Sequence, residues 1–466
     1  MSRNSFHDKE LPAGSRKRLN IAMVCDFFYP QLGGVEFHIY HLSQKLISLG
    51  HNVVILTHSY GKRRGVRYLN KGLKVYYIPY LVLYRNTTFP TVFTSLPIMR
   101  NIFIRESIDI VHSHGSVSTF AHECLFHAGI MDIPSVFTDH SLYGFDNIGA
   151  ILVNKLLRFS STLTNRMIAV SNTTKENLCV RTGFDPAKVV VIPNAVVPKD
   201  FQPNFDIATR GKVRSKKYIT IVVIQRLFPN KGSELLTHMI PKICNADDKV
   251  KFIIAGDGPK FIDFQQMIET FRLQDKVELI GSVPHEKVPE VMRRGDIYLH
   301  ASLIEAFGTV LVEAASCGLL IVSTMVGGIP EVLPKHMTIF SAETSVTCLA
   351  KATQKAIDLI RNGYDTSNFH QEIASMYHWS TVAKKTVEVY NKVYFESCVK
   401  KLSMSDKISR FFFRNSAENR YDGLMARCLY TLCCVVEMLY YIILECFWQP
   451  RSNIELAHKW ESSSEP

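Results

Sequence analysis

The sequence predicts an α/β protein of two doubly wound, Rossmann-like domains that face each other across a cleft, with one transmembrane helix near the C-terminus. In two stretches, short apolar runs alternate with helical patterns, and a polar, basic link separates the stretches. A third stretch, at 428–448, is almost wholly apolar and long enough to cross a bilayer as a helix. The length of 466 residues holds two domains with sizeable cores and further appendages.

The first domain is predicted over residues 21–200. It follows a polar, basic tail at 1–20 that has no apolar core and therefore is not a secretory signal. A buried strand, IAMVCDFF, opens the domain, and a helix with regularly spaced apolar residues runs from Gly34 until Gly50 ends it. Further strands are predicted at 52–58, 74–80, 109–115, 134–140 and 166–171. This alternation predicts a parallel sheet with helices on both faces.

The second domain is predicted over residues 201–385. The chain becomes polar and basic around 194–217, where Pro198 and Pro203 also favour a linker. The alternation then restarts, with strands predicted at 218–227, 250–258, 277–283, 296–302 and 319–328. Ligands of such sheets bind at the carboxyl ends of the strands, so we expect the site in the loops that follow strands.

The C-terminal part is predicted to be a returning helix and basic juxtamembrane segment at 386–427, a transmembrane helix at 428–448 and a short lumenal tail at 449–466. A buried helix of a soluble domain is the alternative for 428–448. The membrane is favoured because the basic residues lie on one side, and the positive-inside rule then keeps everything before 428 in the cytosol. Glu437 would lie at mid-depth, where a carboxylate needs a partner, which indicates a membrane complex.

Charge and cysteine content exclude several classes of function. The formal charge of +12 gathers in local basic runs that do not interleave with aromatic residues, so nucleic-acid binding is disfavoured. The eleven cysteines form no C-x-x-C pair, which argues against a zinc site or a disulfide framework and for a reducing compartment.

Two loops could hold a phosphate group. Gly33 and Gly34 open a helix after the first strand, where glycines let a ligand approach the backbone and the helix offers free N–H groups. Arg226 and Lys231 flank a Pro-Asn turn after the first strand of the second domain, and two such cations suit a diphosphate. The alternative for Gly33 and Gly34 is a purely structural turn, and the alternative for Arg226 and Lys231 is a solvated turn.

The histidines give no metal motif. His112, His114, His122 and His127 lie close in sequence, but HECLFH is not the H-E-x-x-H of a helical zinc site, so no metal is expected. His140, at the end of a predicted strand, is the better candidate for contact with a substrate.

Glu305 and Glu313 enclose the stretch EAFGTVLVE. Paired acids are typical of glycoside hydrolysis, but a helix is predicted to begin at Gly308-Thr309 between them, and its N-terminus attracts an anion. We therefore expect each carboxylate to accept hydroxyl groups, one from a sugar and one from a ribose. The alternative is that Glu313 only favours the helix dipole.

These motifs together resemble glycosyltransferase family 4, whose members have the GT-B fold and retain anomeric configuration. EAFGTVLVE is similar to the E-x7-E motif of that family, and LGGVE, QRLFPNKG, GDGP and EAASCGLLIVSTMVGGIPEVLP extend the resemblance over roughly residues 20–390. FTDHSLYGF, HSHGSVSTFAHE and the single C-terminal span look like the PIG-A type, the catalytic subunits of phosphatidylinositol N-acetylglucosaminyltransferase.

The resemblance implies UDP-GlcNAc as donor and phosphatidylinositol as acceptor, in a multisubunit complex on the cytosolic face of the endoplasmic reticulum. The reaction would give GlcNAc-phosphatidylinositol, the first intermediate of GPI-anchor biosynthesis. Within the second, nucleotide-sugar domain, Arg226 and Lys231 would hold the diphosphate and Glu313 the ribose. Glu305 and the backbone of Phe307, Gly308 and Thr309 would hold the sugar hydroxyls.

In the first, acceptor-side domain, the resemblance places Gly33 and Gly34 against the diphosphate and His140 near the transferred sugar. The implied reaction needs no metal or other cofactor: the leaving phosphate oxygen takes the proton of the attacking hydroxyl. Gln225 and Ala195 depart from residues common in the family, but neither removes a required charge.

Two other functions are compatible with parts of the sequence. A GDP-mannose-dependent phosphatidylinositol mannosyltransferase would carry the same E-x7-E motif. A non-catalytic nucleotide-sugar-binding subunit is disfavoured because Glu305, Glu313, Arg226 and Lys231 are all present.

Overall fold

The computed structural model describes residues 17–31, 33–84, 86–203, 218–413 and 423–457. Most of the predicted N-terminal tail, the basic part of the predicted linker at 204–217, and the end of the predicted lumenal tail from 458 on lie outside the described residues.

The first sheet has eight described strands in the order β10-β9-β8-β7-β1-β2-β4-β3. All neighbours pair in parallel except β3, which runs antiparallel to β4 at the edge. The strands are β1 Asn20–Val24, β2 Asn52–His58, β3 Gly65–Leu69, β4 Leu73–Ile78, β7 Ile110–His114, β8 Ser135–Asp139, β9 Arg166–Ala169 and β10 Val189–Val191, and a separate hairpin is formed by β5 Val82–Tyr84 and β6 Thr87–Thr88.

The second sheet has six described strands, all parallel, in the order β13-β12-β11-β14-β15-β16. The strands are β11 Ile219–Ile224, β12 Val250–Ala255, β13 Val277–Gly281, β14 Ile297–His300, β15 Leu320–Ser323 and β16 Thr338–Phe340. The two predicted parallel sheets are therefore present.

Helices cover both faces of each sheet because the strands bury side chains on both sides. In β1, Ile21 and Met23 enter one apolar cluster, whereas Ala22 and Val24 enter another on the opposite face. The helices of the first domain are α1 Gly34–Ser48, α2 Leu96–Arg105, α3 Thr119–Ile130, α4 Ile148–Ser160 and α5 Asn172–Thr182. Those of the second are α6 Ser233–Ala246, α7 Phe261–Thr270, α8 Val288–Met292, α9 Thr309–Ser316, α10 Val346–Arg361 and α11 Phe369–Met376.

A long helix, α12 Trp379–Val399, returns from the second domain to the first. Trp379 and Tyr390 are buried in the apolar cluster of the first sheet, and the Tyr390 hydroxyl lies 2.6 Å from His112 Nδ1. The predicted boundary between residues 385 and 386 falls inside this helix.

The C-terminal helices are α13 Met404–Phe413 and α14 Leu424–Ile443, and a π-type turn, Leu444–Trp448, extends α14. The 25 residues from Leu424 to Trp448 are long and apolar enough to cross a membrane, by length and composition. One side of this helix packs on α3 and α13. The other side exposes Leu424, Met425, Leu429, Leu432, Val436, Leu439, Ile443, Phe447 and Trp448.

Glu437 has a partner within the chain. Its Oε1 lies 2.5 Å from His127 Nδ1, and both side chains are fully buried. The other ring nitrogen, His127 Nε2, lies 2.7 Å from the Ser95 hydroxyl. Within this chain, α3 therefore supplies the polar group that the buried Glu437 carboxylate needs.

Candidate active site

The carboxyl ends of the two sheets face each other, and loops from both domains meet there. The Ser171 hydroxyl of the first domain donates a hydrogen bond of 2.7 Å to the Ala306 carbonyl of the second. Nearby, the Glu331 carboxylate accepts from the backbone N–H groups of Asn172, at 2.7 Å, and Thr173, at 2.9 Å. We call this second contact the Glu331 clasp, because a side chain of one domain caps α5 of the other.

Lys231 and Glu305 form an ion pair at the end of the second sheet. Glu305 lies in the loop between β14 and α9, and Lys231 ends the short 3-10 turn Pro229–Lys231 that follows β11. Their Nζ and Oε2 atoms are 2.5 Å apart, and each side chain is 18% exposed. The predicted diphosphate cation and the predicted sugar-binding carboxylate thus neutralise each other in this structure.

Gly232 determines how closely that turn approaches the loop after β14. It adopts φ +71°, and a Cβ built on it would lie 1.9 Å from the Ala301 carbonyl oxygen. Since only glycine permits both the backbone conformation and this approach, Gly232 brings Lys231 within reach of the loop that carries Glu305.

Arg226 is the second cation of the site, and its surroundings differ from those of Lys231. It is exposed, and its guanidinium lies 5.5 Å from the centre of the Phe228 ring. Among the described residues, no carboxylate lies within 4 Å of it. Its charge is therefore available to an anion in the cleft.

Glu313 occupies a different environment from Glu305. It lies on α9, and its side chain is buried. Burial raises the pKa of this carboxyl from 4.5 to about 7. The two glutamates of the E-x7-E stretch thus differ, one in an ion pair and one desolvated.

The start of α9 lies between the two glutamates. Gly308 caps this helix with φ +84°, and a Cβ there would lie 3.4 Å from Glu305 Cγ. Phe307 is buried and packs on Tyr377, which fixes the loop. The N–H of Leu311 already donates to the Gly308 carbonyl at 2.9 Å, so the N–H groups of Thr309 and Val310, in the first turn of the helix, are the ones that can bind an oxygen atom of a ligand.

Gly33 and Gly34 begin α1 on the first-domain side. Gly34 has open space where a Cβ would be, whereas a Cβ on Gly33 would lie 2.4 Å from Glu36 Oε2. Glu36 thus folds back over the helix start. Its burial raises the pKa of its carboxyl, and the charge of Arg226 from the other domain acts in the opposite direction.

His140 belongs to a group with His38 and His114. The ligand atoms of the three lie within 4.8 Å of one another, and His114 Nδ1 is 3.2 Å from His140 Nε2. Burial lowers the pKa of His140 to about 3 and that of His38 and His114 well below the usual value. Three neutral imidazoles of this kind could hold a metal ion or donate to sugar hydroxyls.

The four histidines considered from the sequence do not form one group in space. The rings of His112 and His114 are 4.1 Å apart, but the other two lie elsewhere. His122 contacts the Ser160 hydroxyl at 2.8 Å, and His127 contacts Glu437. His38, which does join His114 and His140, lies on α1 and was not singled out, because its distance along the chain hides the contact.

Comparison with known proteins identifies the family. One family model, PIGA (GPI anchor biosynthesis), matches residues 58–147, and another, glycosyl transferases group 1, matches residues 205–362. The phosphatidylinositol N-acetylglucosaminyltransferase GPI3 subunit of Saccharomyces cerevisiae is 58% identical over 442 residues, which cover 95% of this chain and 96% of the relative. This chain belongs to the PIGA family of glycosyltransferases.

Relatives of the family in other kingdoms are also similar over nearly the whole chain. The human relative, likewise named as a subunit of phosphatidylinositol N-acetylglucosaminyltransferase, is 45% identical, over 94% of this chain and 87% of the relative. The corresponding subunit of Arabidopsis thaliana is 44% identical, over 94% of each.

Solved structures confirm the fold of this PIGA-family chain. HepE of Anabaena, in complex with UDP and glucose, superposes with a TM-score of 0.62 at 17% identity, over 80% of this chain and all of that one. Sucrose-phosphate synthase of Thermosynechococcus elongatus gives a TM-score of 0.65 at 17% identity, over 81% of this chain and all of that one. The predicted GT-B fold is therefore confirmed.

Sequence reasoning missed two residues of the PIGA-family cleft, Glu36 and His300. Glu36 ends the LGGVE stretch. The signal for it was an acidic residue in the first turn of a helix whose start could bind a phosphate. His300 ends the buried strand β14, and its Nε2 lies 3.8 Å from Glu305 Oε2. A polar residue at the end of an otherwise apolar strand could have pointed to it.

Proposed function

We propose that this chain transfers N-acetylglucosamine from UDP-GlcNAc to phosphatidylinositol, with retention of configuration, in the first step of GPI-anchor biosynthesis. One observation carries the proposal: a relative with 58% identity along nearly its whole length is named for this transfer. Arg226, Lys231, Glu305 and Glu313, at the carboxyl end of the second sheet, provide the charges that such a donor requires.

The donor is proposed to bind by exchanging the Lys231–Glu305 pair for two new contacts. The diphosphate meets Arg226 and draws Lys231, because two negative charges attract the ammonium more strongly than one carboxylate does. The released Glu305 carboxylate then accepts sugar hydroxyls. Glu313 accepts ribose hydroxyls, and the N–H groups at Gly308 and Thr309 add donors.

The transfer is proposed to take place on one face of the sugar. The bond from the anomeric carbon to the β-phosphate oxygen breaks while a bond to the inositol hydroxyl oxygen forms. The proton of that hydroxyl passes to the departing phosphate oxygen, so no protein base is required. Arg226 and Lys231 stabilise the charge that develops on the phosphate, and we expect this electrostatic contribution to dominate.

On the first-domain side, Gly33 and Gly34 are proposed to lie against the diphosphate, and His140 is proposed to contact the transferred sugar. A neutral imidazole suits this position, since it can donate to or accept from a hydroxyl without repelling Arg226. No metal ion is proposed, because the two cations already supply the positive charge that a metal would bring.

The protein is proposed to act on the cytosolic face of the endoplasmic reticulum membrane, with both domains in the cytosol and other membrane subunits in the complex. An acceptor lipid and an apolar 25-residue helix support a place at the membrane, and the names of the relatives as subunits support a complex. A single crossing by residues 428–448 stays a prediction. In this structure that helix packs on the first domain, and Gln449, beyond its end, contacts Asn101 of the same domain at 2.9 Å, so a crossing would require these contacts to open.

The test is to incubate membranes that contain the complex with radiolabelled UDP-GlcNAc, and separately with GDP-mannose, and to identify the labelled lipid. We expect GlcNAc-phosphatidylinositol from wild type and none above background from Glu305→Ala or Lys231→Ala. Lys276→Ala, which removes contacts with Asp248 and with the Cys244 carbonyl away from the cleft in the same domain, is the matched control and should label normally. Labelling from GDP-mannose alone, or activity in both cleft variants, would overturn the proposal.

A further inference from the structure

His300 is a buried imidazole beside the Lys231–Glu305 pair that makes no hydrogen bond with any described residue. Its side chain is 1% exposed, and both Nδ1 and Nε2 lack a hydrogen-bond partner within the described part of the chain. Buried polar groups are almost always hydrogen-bonded, because leaving one without a partner costs free energy. If packing were the only role of this position, an apolar side chain would fill it without that cost.

The position of the ring relates it to Glu305. The Nε2 atom lies 3.8 Å from Glu305 Oε2, the same oxygen that contacts Lys231 Nζ at 2.5 Å. A movement of about 1 Å would bring Nε2 and Oε2 to ordinary hydrogen-bond distance. The Oε2 atom of Glu305 therefore has two possible partners, Lys231 and His300, and in this structure it pairs with Lys231.

Donor binding as proposed above removes Lys231 from Glu305. The carboxylate, 18% exposed, would then be left without a partner on Oε2 while its other oxygen meets the sugar. A carboxylate with a partner on only one oxygen can rotate, and it would then no longer hold a fixed orientation toward the sugar hydroxyls.

We propose that His300 is a positioning residue that takes over Oε2 of Glu305 when the donor diphosphate draws Lys231 away. The imidazole would carry its proton on Nε2 and donate it to the carboxylate, so that Glu305 stays fixed in both states. This assignment rests on the proposed function, because it requires a donor that competes for Lys231.

The environment supports a neutral donor rather than a second cation. Burial lowers the pKa of His300 to about 4, with Glu305 raising it and Lys231 lowering it. A neutral ring can donate to Glu305 without competing with Lys231 for the diphosphate.

Two substitutions of similar volume separate the proton donor from the packing. His300→Gln keeps an N–H group near the position of Nε2, and His300→Met does not. In the intact complex, we expect His300→Met to lower kcat/KM for the sugar nucleotide about tenfold, the lower end of the effect of a hydrogen bond to a charged group, and His300→Gln to stay within about threefold. The thermal midpoint of His300→Met should equal or exceed that of wild type, since a buried polar group without a partner has been removed.

A double-mutant cycle tests the route through Glu305. In a Glu305→Gln background the ion pair with Lys231 no longer exists, so His300→Met should change the remaining activity less than about twofold. Full activity of His300→Met, equal losses in the Met and Gln variants, or multiplying losses in the double variant would each overturn the role. If wild type uses another donor, the proposed function fails, and the same comparisons with that donor still decide the role of His300.

Discussion

Two carboxylates of this protein, Glu305 and Glu437, pair with basic side chains of other elements, and the difference between their surroundings decides what each pair can do. The Lys231–Glu305 pair lies at the cleft with each side chain 18% exposed, whereas the His127–Glu437 pair is fully buried. A ligand can reach and replace the first pair. The second pair holds the apolar C-terminal helix on the first domain.

The groups behind His127 explain why this pair is structural. The Ser95 hydroxyl contacts both His127 Nε2, at 2.7 Å, and Glu123 Oε2, at 2.6 Å. Glu123 also accepts from the N–H of Val92 at 2.9 Å. One polar chain thus joins the C-terminal helix to α3 and to the loop before α2. Glu305, by contrast, has an alternative partner close by in His300.

The largest effect is expected on stability, from Glu437→Ala. Removing one partner of a buried pair leaves His127 without its acceptor and costs about 3–5 kcal/mol. The thermal midpoint of the purified complex should fall by many degrees, and far less in Glu278→Ala, whose pair with Arg294 is exposed on both sides. Equal midpoints for the two variants would show that the buried His127–Glu437 pair contributes nothing special.

Lys231→Met should have the opposite profile. We expect activity to fall about 10²–10³-fold, because the cation proposed to stabilise the developing phosphate charge is lost. The thermal midpoint should change little, since Glu305 stays partly hydrated. A midpoint loss as large as that of Glu437→Ala would mean that the cleft pair is structural too.

Glu313 should make donor binding and stability depend on pH. Its pKa of about 7 in the fold lies above its ordinary value of 4.5, so the folded state binds the extra proton between those values. The contribution of Glu313 to stability is therefore fully present below about pH 4.5 and is lost as the pH rises to about 7.

Donor binding should show the reverse dependence on pH, because the ribose hydroxyls that we propose Glu313 binds donate best to the ionised carboxylate. We expect KM for the donor to fall about tenfold between pH 6 and pH 8, and Glu313→Gln to give a flat profile with weaker binding. Initial rates at several pH values measure this. A wild-type profile that matches that of Glu313→Gln would show that Glu313 does not titrate in this range.

The smallest effect is expected from Glu331→Ala, which removes the clasp. Burial acts to raise the pKa of Glu331, but the N–H and hydroxyl groups of Asn172 and Thr173 outweigh it and lower the pKa. Because the carboxylate is mostly exposed, the loss should be at most about 1 kcal/mol, the value of a typical helix cap. The midpoint should shift by a few degrees at most, and a larger shift would rank the clasp with the His127–Glu437 pair.

The fold was predictable because the strands are local patterns. Buried runs such as those at 52–58 and 250–255 are recognisable without knowledge of their neighbours. The edge strand β3, Gly65–Leu69, was missed because it is mostly exposed and has no apolar alternation. The short edge strands β10 and β16, three residues each, carry too little pattern to be recognised.

The site was predictable only as a set of loops. Arg226, Lys231 and Glu305 follow neighbouring strands, so topology brings them together. The ion pair between Lys231 and Glu305 was not predictable, because it depends on how closely the turn at Gly232 approaches the loop that carries Glu305. The partner of Glu437 was missed for a related reason, since His127 is 310 residues away in the chain.

The Glu331 clasp also affects how the orientation of this protein at a membrane can be measured. Asn172-Thr173-Thr174 is a glycosylation sequon, but the Asn172 side chain donates to Glu331 at 2.8 Å and Thr174 is buried. A sequon held in this way is a poor substrate for glycosylation whichever side of the membrane it occupies. The absence of a sugar at Asn172 would therefore say nothing about topology, and a reporter sequon belongs on an exposed segment instead.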